Sequence, residues 1–249
     1  MIDIVYKYVL AGGPGAGKTE GINYLSKTLN KSGYKVFTIQ ETASELINSG
    51  LDRNEVSFPY YNFALMLYKE LLYHKIAKDL NQDTVILCDR GRMDPKAYRG
   101  NEVFQNILGQ YSNMTEKSVL NSYDGVLLLE TAANGCEEHY QQTDVRIETP
   151  DVARSNQKRI EEVWNEHNNV IYIPAMSDFD KKLEYMANQL MQNIEVVKQR
   201  KTLRQTQLFK DKLIEFAETI NIPDEELFST VKTMLAELNE SLIDKEDRF

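Results

Sequence analysis

The stretch that decides the fold of this chain reads Gly12-Gly13-Pro14-Gly15-Ala16-Gly17-Lys18-Thr19. It matches the P-loop pattern, GxxxxGK followed by Ser or Thr, at every fixed position. An apolar run with strand character, Ile4 to Leu10, leads into it, and a helical pattern follows with Ile22, Leu25 and Leu29 on one face. The alternative is a simple glycine-rich turn between a strand and a helix. Because the glycines, the lysine and the threonine all stand in register, the sequence predicts a nucleoside triphosphate site.

The residue types in this stretch suit a triphosphate with its metal ion. Its glycines let successive backbone N–H groups turn toward phosphate oxygens, and the start of the next helix adds roughly half a positive charge beneath them. Lys18 is expected to reach the β- and γ-phosphates, and Thr19 is expected to bind Mg²⁺. We therefore expect residues 12–19 to bind ATP or GTP together with Mg²⁺.

Composition limits the class of protein. The chain has 249 residues, of which 42% are hydrophobic, and its formal net charge is -9. This length suits one domain with an appendage, and the negative charge makes nucleic acid an unlikely partner. No apolar stretch approaches the roughly 18 residues of a membrane-spanning helix, and the N-terminus lacks a signal peptide pattern, so we expect a cytoplasmic protein. Cys88 and Cys136 follow no disulfide or zinc pattern and are expected to be free.

Short β-rich runs alternate with longer helical stretches. They are Ile4 to Leu10, Lys35 to Ile39, Thr84 to Cys88, Gly125 to Leu129 and Val170 to Ile173. Two stretches within them, Val85 to Cys88 and Val126 to Leu129, are apolar throughout, which is typical of strands covered by helices on both faces. The pattern predicts an α/β fold: a P-loop NTPase three-layer fold with a mostly parallel five-stranded sheet, followed by a helical C-terminal extension. Ligands should gather beyond the carboxyl ends of the strands.

Helical stripes complete the outline of the domains. Two stripes are expected to make core contacts, namely Tyr60, Ala64, Leu67 and Leu71, and Ala153, Ile160, Val163 and Trp164 after a Thr149-Pro150 start. The polar stretch from Thr131 to Thr149 is long enough to be a functional loop. We expect a P-loop domain over residues 1–197 with a lid at about 131–160, and a helical extension over residues 198–249. The apolar stripes of that extension are a candidate surface for homo-oligomer formation.

Polar side chains follow the predicted strands at the edge where the P-loop lies. Asp89 ends an apolar strand, which suits a carboxylate that holds Mg²⁺ with Thr19, although it could also be a turn residue. Glu41 follows the second strand and could accept the proton of an attacking hydroxyl, or it could cap the next helix. The sequence leaves both pairs of alternatives open.

Arginines near this edge could bind phosphate oxygens. Arg90 and Arg92 follow the third strand, and either could orient a phosphoryl group or form a surface ion pair. Arg146 and Arg154 follow the polar loop and could swing over the transferred phosphoryl group, or they could simply solvate a helix. For Lys158 and Arg159 the sequence favours the second alternative, in which they only solvate the helix. The three histidines show no metal-ligand spacing.

These motifs resemble a known family. The set comprises the P-loop with Ala11, then Glu41-Thr42-Ala43, Cys88-Asp89-Arg90-Gly91 with Met93-Asp94, and Ala132-Ala133-Asn134-Gly135. It resembles, over about residues 4 to 195, the NadR-like P-loop family that includes the GTP-binding TRP-channel translocation-defect proteins. The layout is also similar to that of deoxynucleoside and thymidylate kinases. That wider resemblance implies that Glu41 serves the acceptor, that Asp89 and Arg90 form the pair after strand three, and that Arg146 and Arg154 belong to a lid.

The leading hypothesis is a small-molecule kinase. It would transfer the γ-phosphoryl group of Mg²⁺-bound ATP or GTP to a hydroxyl of a nucleoside-like acceptor, with Glu41, Asp89, Arg90, Arg146 and Arg154 as catalytic residues. A second hypothesis is a nucleotide-binding switch with slow hydrolysis that acts on a protein or lipid partner. A third is a kinase that acts on modified bases in nucleic acid. The sequence does not choose between ATP and GTP.

Overall fold

The computed structural model describes residues 5–139 and 149–219. Five strands occur in these residues: β1 (Val5–Ala11), β2 (Lys35–Ile39), β3 (Thr84–Asp89), β4 (Gly125–Leu129) and β5 (Val170–Ile173). The sequence predicted the bounds of β2, β4 and β5 to the residue. The structure extends β1 to Ala11 and β3 to Asp89, so the carboxylate expected just after the third strand forms its last residue.

Helices connect and follow the strands. Those of the described residues are α1 (Lys18–Lys31), α2 (Thr42–Asn48), α3 (Phe58–Leu80), α4 (Asp94–Arg99), α5 (Asn101–Leu108), α6 (Glu116–Leu120), α7 (Pro150–Trp164) and α8 (Phe179–Thr219). None of them is long and apolar enough to cross a membrane. The sequence also predicts a helix break at Ile222-Pro223 and a further apolar stripe after it, and both lie outside the described residues.

The five strands form one sheet in the order β2-β3-β1-β4-β5, and every neighbouring pair is parallel. β1 lies in the middle, where Val9 stands opposite Cys88 on one side and Val126 on the other. The chain order changes direction at β1, and such a switch point opens a crevice beyond the carboxyl ends of the strands. The P-loop leaves β1 at that position.

Helices cover both faces of the sheet and make three layers. On one face α1 and the start of α8 pack together, since a Cβ on Gly21 would stand 2.8 Å from the methyl carbon of Met186 and 3.6 Å from a methyl carbon of Leu10. On the other face the Trp164 ring of α7 lies against Gly91 and Val9. The sheet is therefore buried on both faces, which confirms the predicted three-layer fold.

One of the two predicted helical stripes is confirmed in half of its residues, since Tyr60 and Leu67 pack against the core. In α3 the side chains of Ala64 and Leu71 are exposed, and the buried positions are instead Phe58, Pro59, Asn62, Phe63, Met66, Glu70 and Ala77. The helix buries a charged residue, Glu70, where apolar periodicity cannot indicate it. The α7 stripe is confirmed: the helix begins at Pro150 after the N-cap Thr149, and all four predicted apolar residues are buried.

The chain divides into two compact units. One comprises residues 4–194, and the other comprises residues 1–3 and 195–249. Within the described part of the second unit, the Thr202 and Thr206 hydroxyls donate to the backbone carbonyls of Lys198 and Thr202, both at 2.9 Å. The P-loop and the residues expected to act with it belong to the first unit. Cys88 and Cys136 are free and buried there.

Gly91 offers a test of this packing. A Cβ on Gly91 would stand 2.6 Å from the Trp164 ring and 2.9 Å from a methyl carbon of Val9, and both side chains are fully buried. We expect Gly91→Ala to lower the free energy of unfolding by about 1–3 kcal/mol, because the rigid core must shift. Urea denaturation measures this change. Gly109→Ala is the matched control, since its nearest contact would be an ordinary 3.4 Å; equal stability of both variants would contradict the packing.

Candidate functional site

The P-loop begins where β1 ends and passes closely over the end of β4. A Cβ on Gly12 would stand only 2.3 Å from the carbonyl oxygen of Leu129, so no side chain fits there. Gly17, the N-cap residue of α1, has φ 82 and ψ 25, a left-handed conformation that side chains rarely adopt. Two glycines of the motif are thus required, one by a close approach and one by the backbone turn.

Lys18 folds back over the loop that precedes it. Its Nζ donates to the carbonyl oxygens of Gly12 at 2.8 Å and Gly13 at 3.0 Å. Burial and, after it, the charge of Arg90 lower the pKa of Lys18 to about 8, against the opposing charges of Asp89, Glu41 and Asp94. These charges therefore lie close enough to Lys18 to act on it, as a phosphate-binding site requires.

The next three carbonyl groups of the loop point into the protein. The Thr131 hydroxyl donates to the carbonyl of Pro14, and the Ala132 amide donates to that of Gly15 at 3.3 Å. Lys182 in α8 donates to the carbonyl of Ala16 at 3.1 Å. With the two bonds from Lys18, every carbonyl from residue 12 to residue 16 has a partner from the protein itself.

Most amide groups of the loop, unlike its carbonyl groups, have no partner among the described residues. Gly13 donates to the Gln157 side-chain oxygen at 2.7 Å, and Ala16 donates to the Gly13 carbonyl at 3.3 Å. Among residues 5–139 and 149–219, the other amides of the loop find no acceptor; they belong to Gly12, Gly15, Gly17, Lys18 and Thr19. Unpaired amides that converge at a helix N-terminus form an anion site.

Thr19 and Asp89 supply oxygen ligands that fit Mg²⁺. Asp89 is buried, and its carboxylate accepts no hydrogen bond from the described residues. Burial raises the pKa of Asp89, whereas the charges of Lys18 and Arg90 act in the opposite direction. No three acidic, histidine or cysteine side chains of the described part could hold a metal by themselves. A metal here would therefore need phosphate oxygens and water as further ligands, as Mg²⁺ at nucleotide sites does.

Glu41 and Arg90 form an ion pair at the carboxyl ends of β2 and β3. Arg90 Nε donates to one carboxylate oxygen of Glu41, and the Ser44 hydroxyl donates to the other at 2.7 Å. Glu41 is the N-cap residue of α2, but its side chain makes no capping bond. Burial favours the neutral acid, yet the Arg90 charge and both hydrogen bonds outweigh it and lower the pKa of Glu41. Its carboxylate is therefore ionised at neutral pH.

The guanidinium group of Arg90 has further partners on α4. Its Nη1 donates to the Tyr98 hydroxyl at 2.8 Å and lies 3.4 Å from an Asp94 carboxylate oxygen. The other Asp94 oxygen accepts from the Trp164 ring nitrogen at 2.8 Å. Nη2 of Arg90 donates to none of the described residues. Arg90 itself adopts φ 72, a left-handed conformation that this network holds in place.

Arg92 is not part of this group. It is buried and pairs with Glu70 of α3 at 3.2 Å, so neither the phosphate role nor a surface ion pair applies. Glu70 also accepts from Lys7 at 2.7 Å and from the Tyr123 hydroxyl at 2.6 Å. Arg92 thus belongs to a buried structural cluster beneath the 89–94 turn.

The structure describes one of the two arginines that the sequence predicts for a lid. Arg146 lies outside the described residues. Arg154, in the first turns of α7, donates to the Ala133 carbonyl and to Asp151 at 2.6 Å, and its side chain is 38% exposed. These contacts place it beside the loop after β4, and no described contact joins it to Glu41 or Arg90. Its predicted role over the phosphoryl group stays a prediction.

Several residues that shape the site were not foreseen from the sequence. They are Thr131 and Gln157, which bind P-loop backbone groups, Tyr98, which binds Arg90, and Lys182. None of them belongs to a motif that sequence spacing can identify. Lys182 follows Lys181 in a helix of ordinary composition, and only the fold shows that one of these two lysines is buried and the other 76% exposed.

The chain is similar to known proteins in two comparisons. The model of a family described as AAA domain matches residues 7–182. The deoxyadenosine kinase of M. mycoides, solved with its products dCMP and a flexible dCDP bound, is 18% identical. The alignment covers 75% of this chain and 99% of that chain, with a TM-score of 0.48, a likeness that carries no argument about activity. No curated protein matches the sequence.

The pKa of Lys18 predicts how nucleotide binding depends on pH. Below about pH 8 Lys18 is protonated with or without nucleotide, and above that pH only the phosphate-bound form keeps the proton. Affinity for ADP should therefore fall as pH rises above 8, by up to about tenfold per pH unit. Calorimetric titration measures it. Lys18→Arg stays charged and should flatten the profile. Any slope that remains would come from Lys182, whose pKa burial also lowers to about 8. A flat wild-type profile would contradict this role of Lys18.

Asp89→Asn should separate the metal from the nucleotide. The substitution keeps the size of the side chain but removes the negative charge that offsets Mg²⁺. We expect nucleotide to bind without metal as in the wild type, while the gain in affinity on adding Mg²⁺ largely disappears. Titrations with and without Mg²⁺ measure both values. If the Mg²⁺ dependence is unchanged, Asp89 is a turn residue only.

Proposed function

This chain belongs to the AAA domain family, whose model matches its residues 7–182, and we propose from the geometry of its site that it is a phosphotransferase. It transfers the γ-phosphoryl group of Mg²⁺-bound ATP or GTP to a hydroxyl of a small, nucleoside-like acceptor. The reaction needs a phosphate cradle, positive charge around the transferred group and an acceptor for the hydroxyl proton. The P-loop, Arg90 and Glu41 are suited to these three tasks.

The convergence of Lys18 and Arg90 carries the proposal. Arg90 is the main charge that lowers the pKa of Lys18, so the two cations are unfavourable neighbours. An anion between them would relieve this repulsion. Nη2 of Arg90 is unused among the described residues, and Lys18 holds only backbone carbonyls that a phosphate can replace. Both groups are therefore ready to bind the oxygens of a transferred phosphoryl group.

Glu41 accepts from Nε of Arg90, whereas the α4 side chains contact Nη1. Its lowered pKa makes it a weak base, but phosphoryl transfer passes through a loose transition state in which the hydroxyl proton moves late. An ionised carboxylate that accepts a hydrogen bond can therefore orient the attacking hydroxyl without a raised pKa. Ser44 and Arg90 fix the rotamer of Glu41, so its direction is set before an acceptor binds.

The metal ion has a defined place in this proposal. When bound, Mg²⁺ would neutralise charge on the phosphate oxygens, with Thr19 and Asp89 as its ligands from this chain. The resemblance of the motif layout to that of deoxynucleoside and thymidylate kinases favours a nucleoside-like acceptor. A lid role for Arg146 and Arg154 remains part of the proposal.

Glu41→Gln tests the function. Transfer is first sought by incubating the protein with ATP or GTP and a panel of nucleosides and related alcohols, and by measuring phosphorylated product. Glu41→Gln should leave triphosphate affinity near normal and lower transfer by about 10²- to 10⁴-fold, the usual contribution of a positioned base. Glu45→Gln, on the same helix and paired with the exposed side of α3 through Lys69, is the control.

The outcomes separate the alternatives. A Glu41→Gln protein that transfers at the wild-type rate rules out Glu41 as base and leaves Asp94 or positioning alone. If no acceptor is phosphorylated while nucleotide binds and hydrolyses slowly, the regulatory switch becomes the better account. Transfer only to modified bases within nucleic acid would favour the third hypothesis.

A further inference from the structure

Lys182 is a buried lysine that the proposed reaction does not use. It lies in the first turns of α8 with 5% of its surface exposed. Its Nζ donates to the carbonyl of Ala16 at 3.1 Å and to the carbonyl of Glu130, just after β4, at 2.9 Å. Burial disfavours its charge and lowers its pKa to about 8, while Glu130 acts in the opposite direction. A buried ammonium group with two backbone partners is costly unless it serves the fold or the site.

The geometry of the peptide group links Lys182 to the phosphate side of the loop. The carbonyl of Ala16 and the amide of Gly17 belong to one planar trans peptide, so the C=O and N–H point in opposite directions. Because Lys182 holds the carbonyl, the Gly17 amide must face away from α8. That amide has no acceptor among the described residues.

Thr131 makes the same kind of contact two peptide groups earlier in the loop. Its hydroxyl donates to the carbonyl of Pro14, and the amide on the other end of that peptide belongs to Gly15. The Gly15 amide also lacks an acceptor within the described residues. Two separate donors, one from the loop after β4 and one from α8, therefore hold the carbonyl ends of two P-loop peptides whose amides have no described acceptor.

We propose that Lys182 is a positioning residue for phosphate binding: it holds the Ala16–Gly17 peptide so that the Gly17 amide faces the phosphates of the nucleotide. This inference rests on the nucleotide site of the proposed function. The Lys182 bond is charge-assisted, so it fixes the peptide more firmly than the neutral Thr131 bond and also polarises the Gly17 amide as a donor. Without it, the left-handed Gly17 is free to turn the peptide over, because glycine tolerates both orientations.

A purely structural lysine would behave differently. If Lys182 only satisfied two buried carbonyls, its loss would lower stability and leave the affinity of the folded protein for phosphates unchanged. The decisive quantity is therefore the dissociation constant for ADP without metal, measured on the folded full chain at about pH 7, where a pKa near 8 keeps Lys182 protonated. Thermal unfolding without nucleotide is measured in parallel.

Lys182→Met is the test variant, because methionine fills similar space and has no donor. Its dissociation constant for ADP should rise on the order of 10- to 100-fold, the usual effect of losing a hydrogen bond from a charged group. Lys181→Met is the matched control: it removes the same charge from the neighbouring, 76% exposed lysine, whose partner is Asp178 at 3.4 Å. That control should bind ADP within about twofold of the wild type.

Two further variants keep the test decisive. Thr131→Val removes the neutral bond behind Gly15 and should raise the dissociation constant about 2- to 10-fold; it decides the question if Lys182→Met does not fold. ADP affinity at the wild-type level in folded Lys182→Met, or in Thr131→Val if the former fails to fold, overturns the inference. Lys18→Ala separates this result from the proposed function: if Lys18→Ala also binds ADP as the wild type does, the nucleotide site itself is wrong.

Discussion

The structure depends on one constraint, which is that the P-loop must direct its carbonyl groups into the protein. A backbone that exposes a row of amides to a phosphate needs partners for the opposite ends of the same peptides. Those partners come from the loop after β4, from α8 and from Lys18 itself. Since β4 follows β1 by more than a hundred residues in the chain, the loop can be formed only when the central strands of the sheet are paired. The close approach of Gly12 to the Leu129 carbonyl likewise requires that β1 and β4 are paired.

The charges around the loop follow from this arrangement. Lys18 and Arg90 are brought to one edge of the sheet, and three carboxylates, those of Glu41, Asp89 and Asp94, surround them. In the absence of a ligand the carboxylates limit the repulsion between the two cations. Glu41 is held by Arg90 and Ser44, and Asp94 is held by Arg90 and Trp164. Asp89 differs from both because it accepts no hydrogen bond from the described residues. The one carboxylate without such a bond is the one suited to a metal ion.

Local sequence patterns predicted the elements well and their long-range partners poorly. The strands β2, β4 and β5 could be located to the residue because their apolar runs are short and bounded by polar turns. The stripe on α3 was right for Tyr60 and Leu67 only. That helix also buries Glu70, which pairs with Lys7 and Arg92, and apolar periodicity cannot indicate a charged residue at a core position. Lys182 and Gln157 could not be predicted as P-loop partners, since each contacts a backbone atom more than 140 residues away. Backbone groups carry no sequence signal, so only the fold reveals such contacts.

The buried cluster around Glu70 connects the stability of the fold to the site. Arg90 adopts a left-handed conformation, which is unfavourable for a residue with a side chain and persists only where its surroundings enforce it. On one side of the turn, Arg92 is held by Glu70, and its backbone amide donates to the Tyr123 hydroxyl at 3.0 Å. On the other side, the Trp164 ring nitrogen holds Asp94, which in turn contacts Arg90. Because the turn is fixed at both ends by buried groups, the proposed binding of a phosphoryl group by the Arg90 guanidinium would need little reorganisation, and such preorganisation makes a donor effective in stabilising developing charge.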